Sequence, residues 1–216
     1  TAMIVQRYTE NALRIIFGSV IDLEIHEQVR RAFFICRSLD RREILEIVPS
    51  FCACVIIYDE ERISFPELAA LLQERLADLS SVEMPPPRIH KIPVRYGGEY
   101  GPDLSFVAGH CHLRPEEVIA RHTGELYTVY TVGFTPGFPY LGTLDAAIAA
   151  PRLETPRTRI PAGSVGIAQR QTGIYPFESP AGWQIIGRTD ASLFDTKHPP
   201  YSLMQIGDKV RFYEVS

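Results

Sequence analysis

Two arginines, Arg157 and Arg159, stand two positions apart between Pro156 and Pro161 and lead into Ala162-Gly163-Ser164. In an extended segment residues i and i+2 point to the same side, so both guanidinium groups reach one place. Guanidinium forks suit carboxylate or phosphate recognition, and backbone N–H groups around Gly163 and Ser164 would add to an anion site. A second run, Gly-Phe-Thr-Pro-Gly-Phe-Pro-Tyr-Leu-Gly at 133–142, concentrates glycine, proline and aromatics too densely for a helix or strand interior. Glycine admits positive φ and close approach, proline fixes φ, and aromatic rings supply rigid walls, so Phe134, Pro136, Gly137 and Phe138 read as a preformed pocket rim. A satellite core cluster is the competing reading. Gln171, Thr172 and Tyr175 place neutral polar groups at a third turn-rich stretch, suited either to orienting an amide or to holding a turn.

The titratable candidates are fewer. Glu99 and Asp103 lie in a Gly-rich turn and are either turn-stabilising acids or catalytic carboxylates; His122 ends a short helix, where it either favours the helix dipole or acts as a general acid or base. His110-Cys111-His112 is read as an extended segment whose neighbouring side chains diverge, so no metal site is expected. The chain has no GxxxxGK[ST] loop, no G-x-G-x-x-G opening a helix and no G-x-S-x-G elbow. Any nucleotide it uses must therefore sit at an unconventional or shared site. Cys36, Cys52, Cys54 and Cys111 lack zinc or CxxC spacing and read as reduced thiols. A net charge of −4 argues against a general nucleic-acid binder. No apolar run approaches the ~20 residues of a membrane span and no secretory leader is apparent, so the expected location is the cytoplasm.

The elements that must position these residues fall into two textures. Over residues 12–96 the hydrophobic period switches repeatedly between two and 3.6. Strands are expected at 12–18, 43–48, 52–58 and 89–96. Helices are expected after an Asp22 cap and after the capping-box pair Ser64 and Glu67. The resulting order βαββαβ is a ferredoxin-like α+β domain, assigned to residues 1–90. Three consecutive prolines at 85–87 make a semi-rigid joint. Beyond it, one short helix at 115–122 precedes short strands between Gly/Pro turns, the signature of a β-barrel or sandwich over residues 91–216.

A further stretch, Ser179-Pro180-Ala181-Gly182-Trp183-Gln184-Ile185-Ile186-Gly187-Arg188-Thr189, carries the chain's one tryptophan. Together with the 133–142 and 156–166 runs, Tyr96-Gly97-Gly98-Glu99-Tyr100-Gly101-Pro102-Asp103-Leu104 and the strand at 12–18, it resembles the family of the 5-oxoprolinase B subunit, allophanate hydrolase subunit 1 and the kinase inhibitor KipI. The resemblance implies a cyclophilin-like barrel for the C-terminal half. It implies an ATP-dependent 5-oxoprolinase that opens 5-oxo-L-proline to L-glutamate, with this chain inactive alone. The expected partners are the C subunit of that enzyme, related to allophanate hydrolase subunit 2, and its A subunit. ATP would then be bound at a site shared with, or supplied by, a partner. On this reading Arg157, Arg159, Glu99 and His122 are the catalytic candidates, and Phe134, Pro136, Gly137, Phe138, Gly163, Ser164, Gln171, Thr172 and Tyr175 line the substrate site. The alternative, implied by the KipI branch, is a module that inhibits a sensor histidine kinase.

Overall fold

The computed structural model describes residues 3–216. The chain divides into two compact units, one up to Pro86 and one spanning Pro87–Ser216. In the first, strands β1 (Ile4–Thr9) and β2 (Ala12–Ile16) precede helix α1 (Leu23–Ser38), strands β3 (Ile44–Pro49) and β4 (Ala53–Tyr58) and helix α2 (Phe65–Arg75). The sheet runs β1-β2-β4-β3 with every neighbour antiparallel. Asp22 caps α1, its Oδ1 accepting from the N–H groups of Glu24 and Ile25 at 2.8 and 3.1 Å. At the start of α2 the Glu67 carboxylate accepts from the Ser64 N–H at 2.9 Å, which answers a donor the helix cannot satisfy itself.

The expected order βαββαβ is corrected here to ββαββα. The strand at 89–96 is absent from this sheet, and β1 supplies the fourth strand instead. The physical reason is visible in the burial of the two segments. Five of the six residues of β1 are exposed, so no alternation marks it. The apolar alternation of 89–96 suits a barrel wall as well as a flat sheet.

In the second unit that segment is β5 (Ile89–Tyr96). It is followed by helices α3 (Leu104–His110) and α4 (Pro115–Gly124), then β6 (Tyr127–Val132), β7 (Pro139–Gly142), β8 (Arg157–Ile160), β9 (Ser164–Ala168), β10 (Gln171–Ile174), β11 (Ser179–Ala181), β12 (Gln184–Arg188) and β13 (Lys209–Glu214). Seven strands close into a barrel in the order β10-β7-β6-β13-β5-β12-β9, while β8 and β11 pair as a separate two-stranded ribbon. The barrel interior is filled by Val94, Val129, Leu141, Ile167, Ile186 and Phe212 among others, each at most 1% exposed. β5 and β13 run parallel, in register from Ile89 with Lys209 to Val94 with Glu214. Buried Asp208, just before β13, ties this pair to the chain entering β5: it accepts from the Arg88 guanidinium at 2.9 Å and lies 2.9 Å from His90 Nε2. Helix α3 corrects a second expectation. His110 is helical and His112 turns out at φ 55, so His110-Cys111-His112 is a helix end, not an extended segment.

Candidate functional site

The turn between β6 and β7 is built by its own backbone. The Gly133 N–H donates to Phe138 O at 3.0 Å and the Phe138 N–H to Thr135 O at 3.1 Å, with Phe134 and Gly137 both at positive φ. A Cβ at Gly137 would meet Phe194 Cβ at 2.8 Å and Leu193 O at 3.1 Å, so glycine is required by both dihedral and space. The turn presents Phe134 to solvent, 67% exposed, and drives Phe138 inward to 1%.

Around Phe138 the rings of Tyr140, Tyr175 and Trp183 lie at 4.8, 4.9 and 5.6 Å between centroids, all edge-to-face, the favoured aromatic geometry. Two glycines on the barrel wall make this possible. A Cβ at Gly173 would stand 2.8 Å from the Phe138 ring, and one at Gly166 would stand 3.1 Å from Trp183 Cβ. The rings open onto a cavity of about 280 Å³ bounded by Phe134, Arg152, Leu153, Pro156 and the end of β11 at Pro180–Gly182.

Arg152 supplies the charge of this cavity. Its guanidinium lies 5.9 Å from the Trp183 ring, and among the described residues it forms no ion pair. Burial pushes the Tyr140 hydroxyl above its ordinary pKa and the Tyr175 hydroxyl up to about 12, with the Arg152 charge opposing both shifts. Both phenols are therefore neutral at physiological pH, as hydrogen-bonding groups and not anions. Thr135 Oγ1, in the turn between β6 and β7, and Gln171 Nε2, at the start of β10, are buried without a hydrogen-bond partner, and neither residue lines the cavity.

The structure distributes the residues expected from sequence over three places. Phe134, Phe138 and Tyr175 line the aromatic cavity; Pro136 and Gly137 lie in the turn between the two phenylalanines but not in the lining. Arg157 and Arg159 do face a common place, as their spacing on β8 requires, but it is a second cavity of about 190 Å³ that they share with Glu99, Ser164 and Arg188. There Arg157 is a strut. It donates to both oxygens of Asp103 at 2.8 and 2.6 Å, Asp103 Oδ2 also accepts from the buried Ile185 N–H at 2.7 Å, and the paired carboxylate raises the arginine's pKa further. Arg159 pairs with Glu178 at 2.7 Å in the open, the two side chains 75% and 51% exposed. The N–H groups of Gly163 and Ser164 are consumed by Tyr175 O and Pro161 O, and the Ser164 hydroxyl donates to Pro161 O at 2.7 Å, so this turn offers neither amide to an anion.

The third place is the barrel core. His122 is fully buried, stacked on Phe212 at 4.5 Å, and burial lowers its pKa to about 3. Thr172 Oγ1 donates to Gly166 O at 2.9 Å, so it accepts from His122 Nε2–H at 2.9 Å. That fixes the tautomer, and Tyr96 Oη donates to the remaining Nδ1 at 2.7 Å. A neutral imidazole with both nitrogens occupied and no access to solvent is a core crosslink; the general acid/base reading of His122 and the ligand-orienting reading of Thr172 are corrected accordingly. Sequence reasoning missed Arg152 and did not place Trp183 in the binding set. A single tryptophan after a glycine was a usable signal. A lone arginine after Pro151 was not. Among the described residues no group of three or more His, Cys, Asp or Glu is placed to hold a metal, and the four cysteines are free. No helix of the described residues is long and apolar enough to cross a membrane.

The model of the carboxyltransferase domain, subdomain C and D, matches residues 3–204. The chain belongs to that family. Within this carboxyltransferase C and D family, the 5-oxoprolinase B subunit of Bacillus subtilis is 40% identical, the match covering 98% of this chain and 92% of the relative. The protein of the same name from Haemophilus influenzae is 43% identical over 86% of this chain and 87% of its own length. Among solved structures, the crystal structure of TTHA0988 superposes with a TM-score of 0.84 at 34% identity over 99% of this chain. The present chain spans only 40% of that longer one.

Proposed function

We propose that this chain is the B subunit of a 5-oxoprolinase and that the aromatic cavity receives the lactam ring of 5-oxoproline. The observation that carries the proposal is a small ring-lined cavity with one cation, Arg152, that no carboxylate of the described chain neutralises. A compact cyclic amide bearing a carboxylate matches both parts. The ring lies against Phe138, Tyr175 and Trp183, and its carboxylate pairs with Arg152 by charge-assisted hydrogen bonds. The names of relatives at 40 and 43% identity support the same substrate.

The chain's own residues bind and orient. The lactam carbonyl is a poor electrophile, and any activation increases negative charge on its oxygen. Neutral phenol hydroxyls at Tyr140 and Tyr175 are groups whose hydrogen bonds strengthen as that charge grows, and the surrounding rings exclude competing water. ATP does not fit this chain alone. The aromatic cavity, at about 280 Å³, lies at the lower end of the ~300–1,000 Å³ range of small-molecule sites and the arginine-lined one, at about 190 Å³, below it, and the sequence carries no phosphate-cradling loop. We assign the nucleotide chiefly to a partner, the C subunit, with the A subunit completing the enzyme. The continuation of this fold into a longer chain in TTHA0988 supports such an arrangement.

Trp183, the one tryptophan, supplies the test. Its fluorescence is expected to respond saturably to 5-oxoproline in the complex with the C subunit, and at least tenfold more weakly to 2-pyrrolidinone, which lacks the carboxylate. The Arg152→Met complex should lose that preference. Equal affinity for the two lactams, or a preference that survives Arg152→Met, would overturn the assignment. Failure to bind the C subunit together with capture of a sensor histidine kinase would turn the reading to inhibition.

A further inference from the structure

We propose that the second cavity, lined by Arg157, Arg159, Arg188 and Glu99, is a binding site for a tetrahedral oxyanion of phosphate size. It is separate from the aromatic cavity, although β8 and the turn before it contribute to both: Pro156 faces the rings, while Arg157 and Arg159 face the second cavity. The inference does not depend on the substrate assigned to the rings.

Each arginine arrives by a different route. Arg157 is fixed by its two bonds to Asp103, which stands behind it, only 7% exposed and outside the cavity lining. Two of its five N–H donors are used, so three remain, on a guanidinium that cannot rotate away. Arg188 is held without using any side-chain donor: its guanidinium lies over the Tyr100 ring at 4.6 Å, and among the described residues that guanidinium has no ion-pair or hydrogen-bond partner. The other arginine over that ring, Arg95, at 5.4 Å, is neutralised by Asp190. A half-buried guanidinium held by a ring, with every N–H available and no counter-ion, is the feature that calls for an anion. Arg159 completes the set from an exposed pair with Glu178 that costs little to exchange for another anion.

The lining thus presents three guanidinium groups against one carboxylate, Glu99. Ser164 adds no donor, since its hydroxyl proton is committed to Pro161 O. Counting Asp103 behind Arg157 and Glu178 beside Arg159, the three guanidinium groups are matched by three carboxylates, so it is the number of converging N–H donors, and not net charge, that favours a tetrahedral oxyanion over a carboxylate. The volume of about 190 Å³ admits a phosphate with water but not a whole nucleotide. The ligand is therefore free phosphate or the terminal phosphate of a longer molecule whose remainder lies outside.

The test titrates the full chain, prepared without phosphate or sulfate, with inorganic phosphate, with ADP and with glutamate, following arginine Nε–Hε resonances by NMR. Saturable shifts of the Arg188 and Arg157 signals with phosphate are expected, with glutamate at least tenfold weaker. Arg188→Met should weaken phosphate binding at least tenfold, Arg188→Lys should restore part of it, and Glu99→Gln should tighten it severalfold. ADP binding more tightly than phosphate would identify a nucleotide's terminal phosphate as the source, and the reverse would identify the free ion; either supports the site. Absence of saturable binding to the wild-type chain, or equal binding by Arg188→Met, would overturn it. Because this readout is at Arg188 and the lactam readout is at Trp183, the two assignments fail separately.

Discussion

The two cavities of the barrel are built on opposite plans, although one short ribbon serves both. The aromatic cavity is shaped by packing: Phe138 and its neighbours are fixed by contact, two wall glycines make room for them, and the single charge is left free at the rim. The arginine cavity is shaped by ion pairs, with Asp103 holding Arg157 against the buried Ile185 amide. A packed wall tolerates exchange of polar groups at its mouth. A wall made of charges does not, because removing one partner leaves the other unpaired in a partly buried place. The comparison separates residues that make a cavity from residues that act in it, and in each case the residues that make it are the more buried.

The largest expected effect tests the packed wall. Phe138→Ala removes the ring on which Tyr140, Tyr175 and Trp183 converge, and chemical denaturation should show a loss of roughly 3–5 kcal/mol. The lactam response of Trp183 should vanish with it, while phosphate shifts at Arg188 should survive wherever the variant is folded. A loss below about 1 kcal/mol would mean that the rings are a surface cluster and not a wall.

Asp103→Ala is the matching change at the other cavity. It strands the Arg157 guanidinium and the buried Ile185 N–H together. The expected cost is about 2–3 kcal/mol, less than for a fully buried pair because the Arg157 side chain is 33% exposed and water takes up part of its charge. Lactam binding should persist. If it is lost while stability is unchanged, Asp103 belongs to the lactam site and the two plans are not independent.

A third measurement concerns the crosslink beneath the walls. His122 has a folded pKa near 3, below its unfolded value near 6.5, so acidification protonates the unfolded chain first. The stability this neutral histidine contributes is fully present above about pH 6.5 and is lost as pH falls toward 3, at up to about 1.4 kcal/mol per pH unit. His122→Gln should be less stable at pH 7 but show a shallower fall between pH 6 and 4. Equal slopes in the two proteins would place the acid-sensitive group elsewhere.

How much of this was legible in the sequence depended on whether a residue's neighbours in the chain are also its neighbours in space. The 133–142 turn was readable because its glycines and prolines act locally. The β8 arginines were readable as a pair because strand alternation is local too. Their partners were not: Asp103 lies 54 residues from Arg157, and the bonds between them turn an expected catalytic arginine into a strut. His122 was misplaced for the same reason, since Tyr96 and Thr172 meet it only when the barrel closes. In the first unit β1 escaped notice because an exposed edge strand carries no alternation, and the strand at 89–96 was assigned to the wrong sheet because a period of two fixes a strand but not its partner.

The smallest stability effects, and the sharpest use of the comparison, belong to the two exposed arginines. The sequence pattern drew attention to Arg159, with Arg157, and passed over Arg152; the structure places Arg152 at the aromatic cavity with no ion pair among the described residues and Arg159 in an open pair with Glu178. Neither substitution should alter stability by more than about 1 kcal/mol, because exposed pairs and free surface charges contribute little. Their functional effects should separate. Arg152→Met is expected to weaken lactam binding about tenfold or more and leave the phosphate shifts at Arg188 in place. Arg159→Met should weaken phosphate binding severalfold and leave the lactam response of Trp183 as it was. Measuring both ligands on both variants gives four affinities. If each variant depresses both ligands equally, the ribbon transmits one disturbance to both cavities and they form a single site. If the pattern is crossed, with Arg159→Met depressing lactam alone, the arginine run is the substrate clamp after all, and Arg152 is an ordinary surface residue beside a ring.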